Sequence, residues 1–177
     1  MKLPILFMLL FVLAGCVTPA SQTVNLHSTF DPDEAKAMLE PGNNKIIGSA
    51  LIRQQGGGIV TCAGTEVVLV PATQYAKERI MHLYGSTDRG YRPYQQGGTL
   101  TPYINFQPDH PTYDENTRVV IGDSQGMFEF ENIKDGEYFI STCIVWGDNN
   151  PYRRQGGCLI KREEIKGGET KRVILSP

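Results

Sequence analysis

Beyond residue 45, hydrophobic and polar residues alternate with period two, and each alternating run stops at glycine, proline or asparagine. Ile46 to Arg53 (IIGSALIR) is the first run. Ile59 to Cys62 follows the Gly56-Gly57-Gly58 turn, and Glu66 to Val70 is β-branched and ends at Pro71. Short, turn-bounded runs of this kind favour strands, because successive side chains then point to opposite faces of a pleated ribbon. Arg118 to Ile121 resumes the pattern. From Met127 onward Phe128 and Phe130 share one face while Met127 and Glu129 share the other. Glu137 to Trp146 (EYFISTCIVW) is apolar on both faces, as a central strand is. Cys158 to Ile165 and Glu169 to Leu175 close the series around Lys166-Gly167-Gly168, with Val173 and Leu175 inward and Lys171 and Arg172 marking an edge.

Two stretches change period. Asp31 to Leu39 opens with an N-cap aspartate and a proline in the first turn, which predicts a short helix stopped by Pro41-Gly42. In Ala72 to Tyr84, Tyr75, Arg79 and His82 recur at helical spacing, and so do Ala76, Ile80 and Leu83; Gly85 ends the helix. Gly85 to Asn116 sustains no period and reads as one long irregular loop rich in aromatics. About seven short strands, one or two short helices and this loop predict a single all-β sandwich. The composition agrees: 177 residues, 40 % hydrophobic, with 19 Gly and 11 Pro. A net charge of −2 offers no footprint for nucleic acid.

The N-terminus is an address, not a fold. Lys2 precedes the apolar run Leu3 to Leu13, which is too short to span a bilayer but suits a signal peptide over residues 1–15. The run ends Leu13-Ala14-Gly15-Cys16, which resembles the bacterial lipobox. That resemblance implies cleavage before Cys16 and acylation of its sulfur and new amino group. Val17 follows, without the aspartate that retains many such proteins at the inner membrane, so an outer-membrane anchor is expected. Residues 16–44 are expected to be the lipidated N-terminus and a tether, and residues 45–177 the domain.

At its centre the chain reads Asp123-Ser124-Gln125-Gly126-Met127-Phe128-Glu129-Phe130-Glu131-Asn132-Ile133-Lys134-Asp135-Gly136-Glu137-Tyr138. Asp123 and Gly126 bracket one reversal, Asn132 and Gly136 a second, and Ile133 tucks beneath the latter. This D-x-x-G-x-F-x-F-x-x-I-x-x-G-x-Y pattern resembles the hairpin of the carboxypeptidase regulatory-like family. Gly48-Ser49-Ala50, Thr61-Cys62-Ala63-Gly64, Val67 to Thr73 and Gln155-Gly156-Gly157 extend the resemblance to a bacterial lipoprotein branch of that family, over about residues 45 to 177. It implies a transthyretin-like (prealbumin-like) Greek-key β-sandwich without catalytic residues. Some adhesin-like relatives form a Lys–Asn isopeptide bond; Lys45 and Asn132 are the residues to name here, and no motif supports them.

Export makes one disulfide the expectation among Cys62, Cys143 and Cys158. Cys143 and Cys158 sit at near mirror positions about one loop tip and are the preferred pair, worth roughly 3 kcal/mol in the chain-entropy model. Cys62 with either of the others, or three free thiols, stay open. His27, His82 and His110 are far apart and no Cys-x-x-Cys occurs, which argues against zinc and for no cofactor. Ser86, Ser124 and Ser141 lie in no nucleophile elbow, and Asp123 lacks the remaining ligands of a calcium loop. Asp109-His110 with Asp114 and Glu115 reads as solvated loop.

The candidate binding surface joins Tyr75, Arg79, His82 and Tyr84 to the loop aromatics Tyr91, Tyr94, Tyr103, Phe106 and Tyr113. The competing reading has those rings pinning the loop to the sandwich. The expectation is therefore a non-enzymatic outer-membrane lipoprotein facing the periplasm, held by its N-terminal lipid. It would act as an interaction or structural module toward an envelope protein or glycan. A carbohydrate-binding module using the Tyr-rich loop, and an accessory domain of an envelope hydrolase or transport system, stay open beside it.

Overall fold

The computed structural model describes residues 21–94, 103–148, 150 and 153–177; the expected signal peptide and Cys16 lie outside the described residues. In chain order the elements are β1 (Ser21–Asn25), α1 (Pro32–Leu39), β2 (Asn44–Arg53), β3 (Ile59–Thr61), β4 (Glu66–Pro71) and α2 (Gln74–Tyr84). There follow β5 (Arg89–Pro93), β6 (Tyr103–Gln107), β7 (Arg118–Ile121), β8 (Met127–Ile133), β9 (Gly136–Trp146), β10 (Gln155–Ile165) and β11 (Thr170–Leu175).

The architecture is an all-β sandwich. One sheet runs β5-β10-β9-β4-β7, the other is β11-β2-β3 with β8 also paired to β2. The apolar half of each alternating strand meets in one core: Ile46 and Ala50, Val67 and Leu69, Phe128 and Phe130, Ile140 and Ile144, Val173 and Leu175 are all buried. Each large aliphatic or aromatic side chain taken fully out of water there contributes about 1.5–3 kcal/mol. The Phe128 ring lies directly over Gly48, where any Cβ would collide with it. Gly126 turns the β7–β8 connection at φ 78°, and Asp123 Oδ1 accepts from the Gln125 and Met127 N–H groups across that turn. Central β9 is buried on both faces through Tyr138, Phe139 and Ile140.

Asn44 joins three connections. Its Nδ2 donates to the Ile133 carbonyl (2.9 Å) and to Asp135 Oδ1 (2.8 Å). Its Oδ1 accepts from the Gly168 and Glu169 N–H groups (2.8 and 3.0 Å). The side chain is 1 % exposed, so all four bonds are needed to offset its burial.

Two expectations are corrected. Eleven strands occur among the described residues where about seven were expected, because the supposed irregular loop contains β5 and β6. The segment expected as a tether is folded from Ser21: β1 pairs in parallel with β6, Ser21 opposite Tyr103 through Asn25 opposite Gln107. An isolated five-residue strand gives little signal when its partner lies some 80 residues away. The expected helices are present, capped by the Asp31 and Thr73 side chains, and α2 ends on left-handed Gly85.

Outside the five-stranded sheet, Ala76 and Ile80 of α2 pack on Phe139 and Ile160. The neighbouring flank of α2 packs through Tyr75 against Val24 and Phe106 of the β1–β6 pair and against Phe30. The two helical periodicities in Ala72 to Tyr84 thus correspond to two packed flanks.

Candidate functional site: the Arg79 aromatic cluster and the open surfaces

Arg79 is the centre of the aromatic segment. Its guanidinium carbon lies 4.4 Å from the Phe106 ring centroid, 4.5 Å from Tyr113 and 5.5 Å from Tyr75. Nη1 donates to the Tyr75 hydroxyl (3.0 Å) and to Asp109 Oδ1 (2.5 Å). Burial disfavours the charge, but the Asp109 carboxylate and the Tyr75 hydroxyl outweigh it, so the pKa is raised further. Tyr75 in turn donates to the Pro108 carbonyl (2.9 Å). Phe30 stacks within 5.2–5.5 Å of Tyr75, His110 and Tyr113. Burial pushes the Tyr113 hydroxyl well above its ordinary range. His110, read as solvated loop, is thereby part of the packing, while Asp109 stays largely exposed and pairs with Arg79 from the solvent side.

The structure does not gather the candidate residues on one surface. Tyr75, Arg79, Phe106 and Tyr113 form this interior cluster. His82 is exposed beside Phe106, with ring centroids 6.5 Å apart. Tyr84 lies against Gly90 on the sheet, where burial raises its pKa and the neighbouring Ser141 hydroxyl partly offsets the rise. Tyr91 donates to the Gly156 carbonyl (2.9 Å), which also accepts from the Tyr94 N–H (2.7 Å). Tyr103 alone among the candidate tyrosines is exposed, at 60 %.

A second lock was not legible in the sequence. Glu78, on α2, accepts from the His27 N–H (2.7 Å), the Ser28 N–H (2.9 Å) and the Ser28 hydroxyl (2.6 Å). The Ser28 hydroxyl foremost, then the His27 N–H, lower its pKa from 4.5 to about 2. This carboxylate ties the chain leaving β1 to the helix.

Cys143 and Cys158 form a disulfide between directly opposed positions of β9 and β10. Cys62 is a buried thiol that donates to the Gly126 carbonyl, and burial raises its pKa. Lys45 engages Glu129 and Glu131, and the Asn132 carbonyl accepts from Arg118.

The concave surfaces are open troughs. One, of about 390 Å³, lies on the five-stranded sheet between Thr65, Glu66 and Val68 on one side and Ser141 and Cys143 on the other. Its lining carries one carboxylate, Glu66, and three hydroxyls, of Thr65, Ser141 and Thr142, the last of which donates to the Glu66 carbonyl. A second, about 300 Å³, runs along β7 and β8 past Ile121 and Met127. Among the described residues no group of three or more His, Cys, Asp or Glu is placed to hold a metal ion. No helix among them is long and apolar enough to cross a membrane.

No family model matches the chain, and no curated protein matches it. Its fold is similar to a crystal structure from Pseudomonas aeruginosa described as a "putative carbohydrate binding protein", with a TM-score of 0.66 and 24 % identity. The match covers 85 % of this chain and 99 % of that one, and at this identity it speaks to the fold.

Proposed function

We propose that this chain is a non-enzymatic, lipid-anchored module of the bacterial cell envelope, held in the outer membrane through Cys16 and facing the periplasm. One observation carries the reading. β1 begins at Ser21, five residues past the Cys16 of Leu-Ala-Gly-Cys, so only a short stretch separates the expected lipidation site from the first described strand. The resemblance to carboxypeptidase regulatory-like lipoproteins supports the same reading. So does the commitment of Tyr75, Arg79, Phe106 and Tyr113 to packing, which gives the aromatic segment a structural task. The module's role is interaction or structural support within the envelope.

The test is the intact mass of the chain extracted from membranes, beside a Cys16→Ser variant. A mature chain starting at Cys16 and carrying acyl mass supports the anchor. A chain cleaved elsewhere, or free of lipid, removes it.

A second reading, carbohydrate binding, draws on the fold likeness to the Pseudomonas aeruginosa protein and on Tyr103, a solvent-exposed ring of the kind that stacks on sugars. Capture of envelope glycans by the soluble domain, Ser21 to Pro177, with loss on Tyr103→Ala, favours this reading. Capture of a protein that survives Tyr103→Ala favours the first.

A further inference from the structure

We propose that the β1–β6 sheet, with Tyr103 at its leading corner, rests in the lipid headgroup layer of the membrane that holds the Cys16 anchor. The inference rests on the lipid-anchor reading above and deepens it by naming the face that meets the bilayer.

Chain length sets the first constraint. Five Cα–Cα steps separate Cys16 from Ser21, so even fully extended they reach about 18 Å. The headgroup zone on one side of a bilayer takes up roughly 5–7 Å of that reach. Ser21 is paired with Tyr103 at the first position of β1, so it is not slack chain. The domain is held against the surface at the start of β1.

The chemistry of that corner suits what it would meet. Ser21 is paired with Tyr103, and Tyr103 is 60 % exposed. A tyrosine ring offers an apolar body and a polar tip, the combination enriched at membrane interfaces. The ten residues of the two strands, SQTVN and YINFQ, include no charged side chain, in a chain that is 20 % charged. A carboxylate there would be repelled by anionic headgroups, and a buried cation would carry a desolvation cost. Hydroxyls, amides and the outer backbone edges of a two-stranded sheet exchange hydrogen bonds with phosphate and ester oxygens at no such cost. Among the described residues neither strand pairs with a further strand. Asn25, at the far end of β1, leads straight to the Glu78 lock, so the sheet is fixed to α2 rather than swinging on its anchor.

The experiment uses the full, lipidated chain in vesicles of phosphatidylethanolamine and phosphatidylglycerol with brominated acyl chains. The single tryptophan is removed by Trp146→Phe and an indole is introduced by Tyr103→Trp, or by Ile174→Trp on the far sheet, where the side chain is 63 % exposed. The expected result is a blue shift and loss of most emission at position 103, with position 174 unchanged from detergent. Acyl mass on the chain but no quenching at 103, or equal quenching at both positions, overturns the docking face and leaves the anchor intact. A chain without acyl mass overturns the anchor and this proposal together. An indole at 103 that ignores vesicles but shifts with soluble envelope glycans also overturns it, and gives the ring to the carbohydrate reading. Hydrogen exchange on the unsubstituted chain answers the same question should the tryptophan variants fail to fold. Vesicle-dependent protection within 21–25 and 103–107 but not 170–175 supports the proposal, and uniform behaviour overturns it.

Discussion

Replacing Arg79 by alanine isolates what holds the N-terminal segment and β6 to the helix. Two aromatic faces at 4.4 and 4.5 Å from a mostly buried guanidinium contribute about 1 kcal/mol each. The Asp109 carboxylate is 65 % exposed, so its ion pair adds at most ~1 kcal/mol. The contributions share one side chain and overlap, so the expected loss is about 2–3 kcal/mol. It falls locally, because Arg79 faces the β1–β6 pair while Ala76 and Ile80 face the sheet. Native-state hydrogen exchange is the assay. Amides in β1 and β6 are expected to exchange roughly 30- to 100-fold faster, since about 1.4 kcal/mol is a factor of ten, while those of β9 stay within twofold. Arg79→Lys keeps the charge beside Asp109 but loses the planar group between the rings, and is expected to lose more than half of the effect. Exchange in β1 and β6 that changes less than about threefold, or that rises equally in β9, would refute the assignment of Arg79 as the local peg.

Asn44→Ala removes four hydrogen bonds and leaves the Ile133 carbonyl and the Gly168 and Glu169 N–H groups without that partner; a loss of about 2–4 kcal/mol in urea unfolding is expected, and under ~1 kcal/mol would contradict the junction. Glu78 has a folded pKa depressed from 4.5 to about 2, so its contribution is present above about pH 4.5 and is lost as pH falls through 2. The group stays in contact with water, which discounts that contribution to about 1 kcal/mol; Glu78→Gln should flatten the stability profile between pH 5 and pH 2 by that amount, and parallel profiles would count against it. Reducing Cys143–Cys158, 15 residues apart, is expected to cost about 3 kcal/mol by thermal unfolding. The buried Cys62 should meanwhile resist a thiol reagent until the domain unfolds, and rapid native-state labelling would refute its placement.

Local chemistry made the sandwich legible. Strands bounded by glycine or proline, the Phe128–Phe130 face and the doubled helical period of α2 are each encoded within a dozen residues. The Cys143–Cys158 pairing was also within reach, since both positions are measured from one loop tip. Long-range partners hid the rest. Ser21 to Asn25 has the composition of a linker and is a strand only because Tyr103 to Gln107 lies beside it. Arg79 and Tyr75 sit one helical turn apart, as the spacing showed. Whether that flank faces solvent depends on Phe30 and Phe106, which arrive from both sides in sequence. Asn44 carries no signal at all: its partners lie 89 to 125 residues away and converge only when two turns meet.

These misses share one cause, and it changes where the functional unit begins. A boundary at residue 45 follows the sandwich core, whose fully buried residues run from Ile46 onward, but it leaves out Met38 and Leu39 of α1, which pack against that core. The Arg79 cluster and the Glu78 lock join residues 24–30 to α2, and α2 covers Phe139 and Ile160 of the central strands. A chain started at residue 45 would lose the Asn44 junction and the α1 residues packed on the core, and would uncover Tyr75, Phe106 and one flank of α2, an apolar surface that invites association. Starting at Ser21 keeps the helix covered. Under the proposed lipid anchor, residues 21–30 would be a structural layer of the domain, and the orientation of the domain at the membrane would be set by the same contacts that hold this layer to α2.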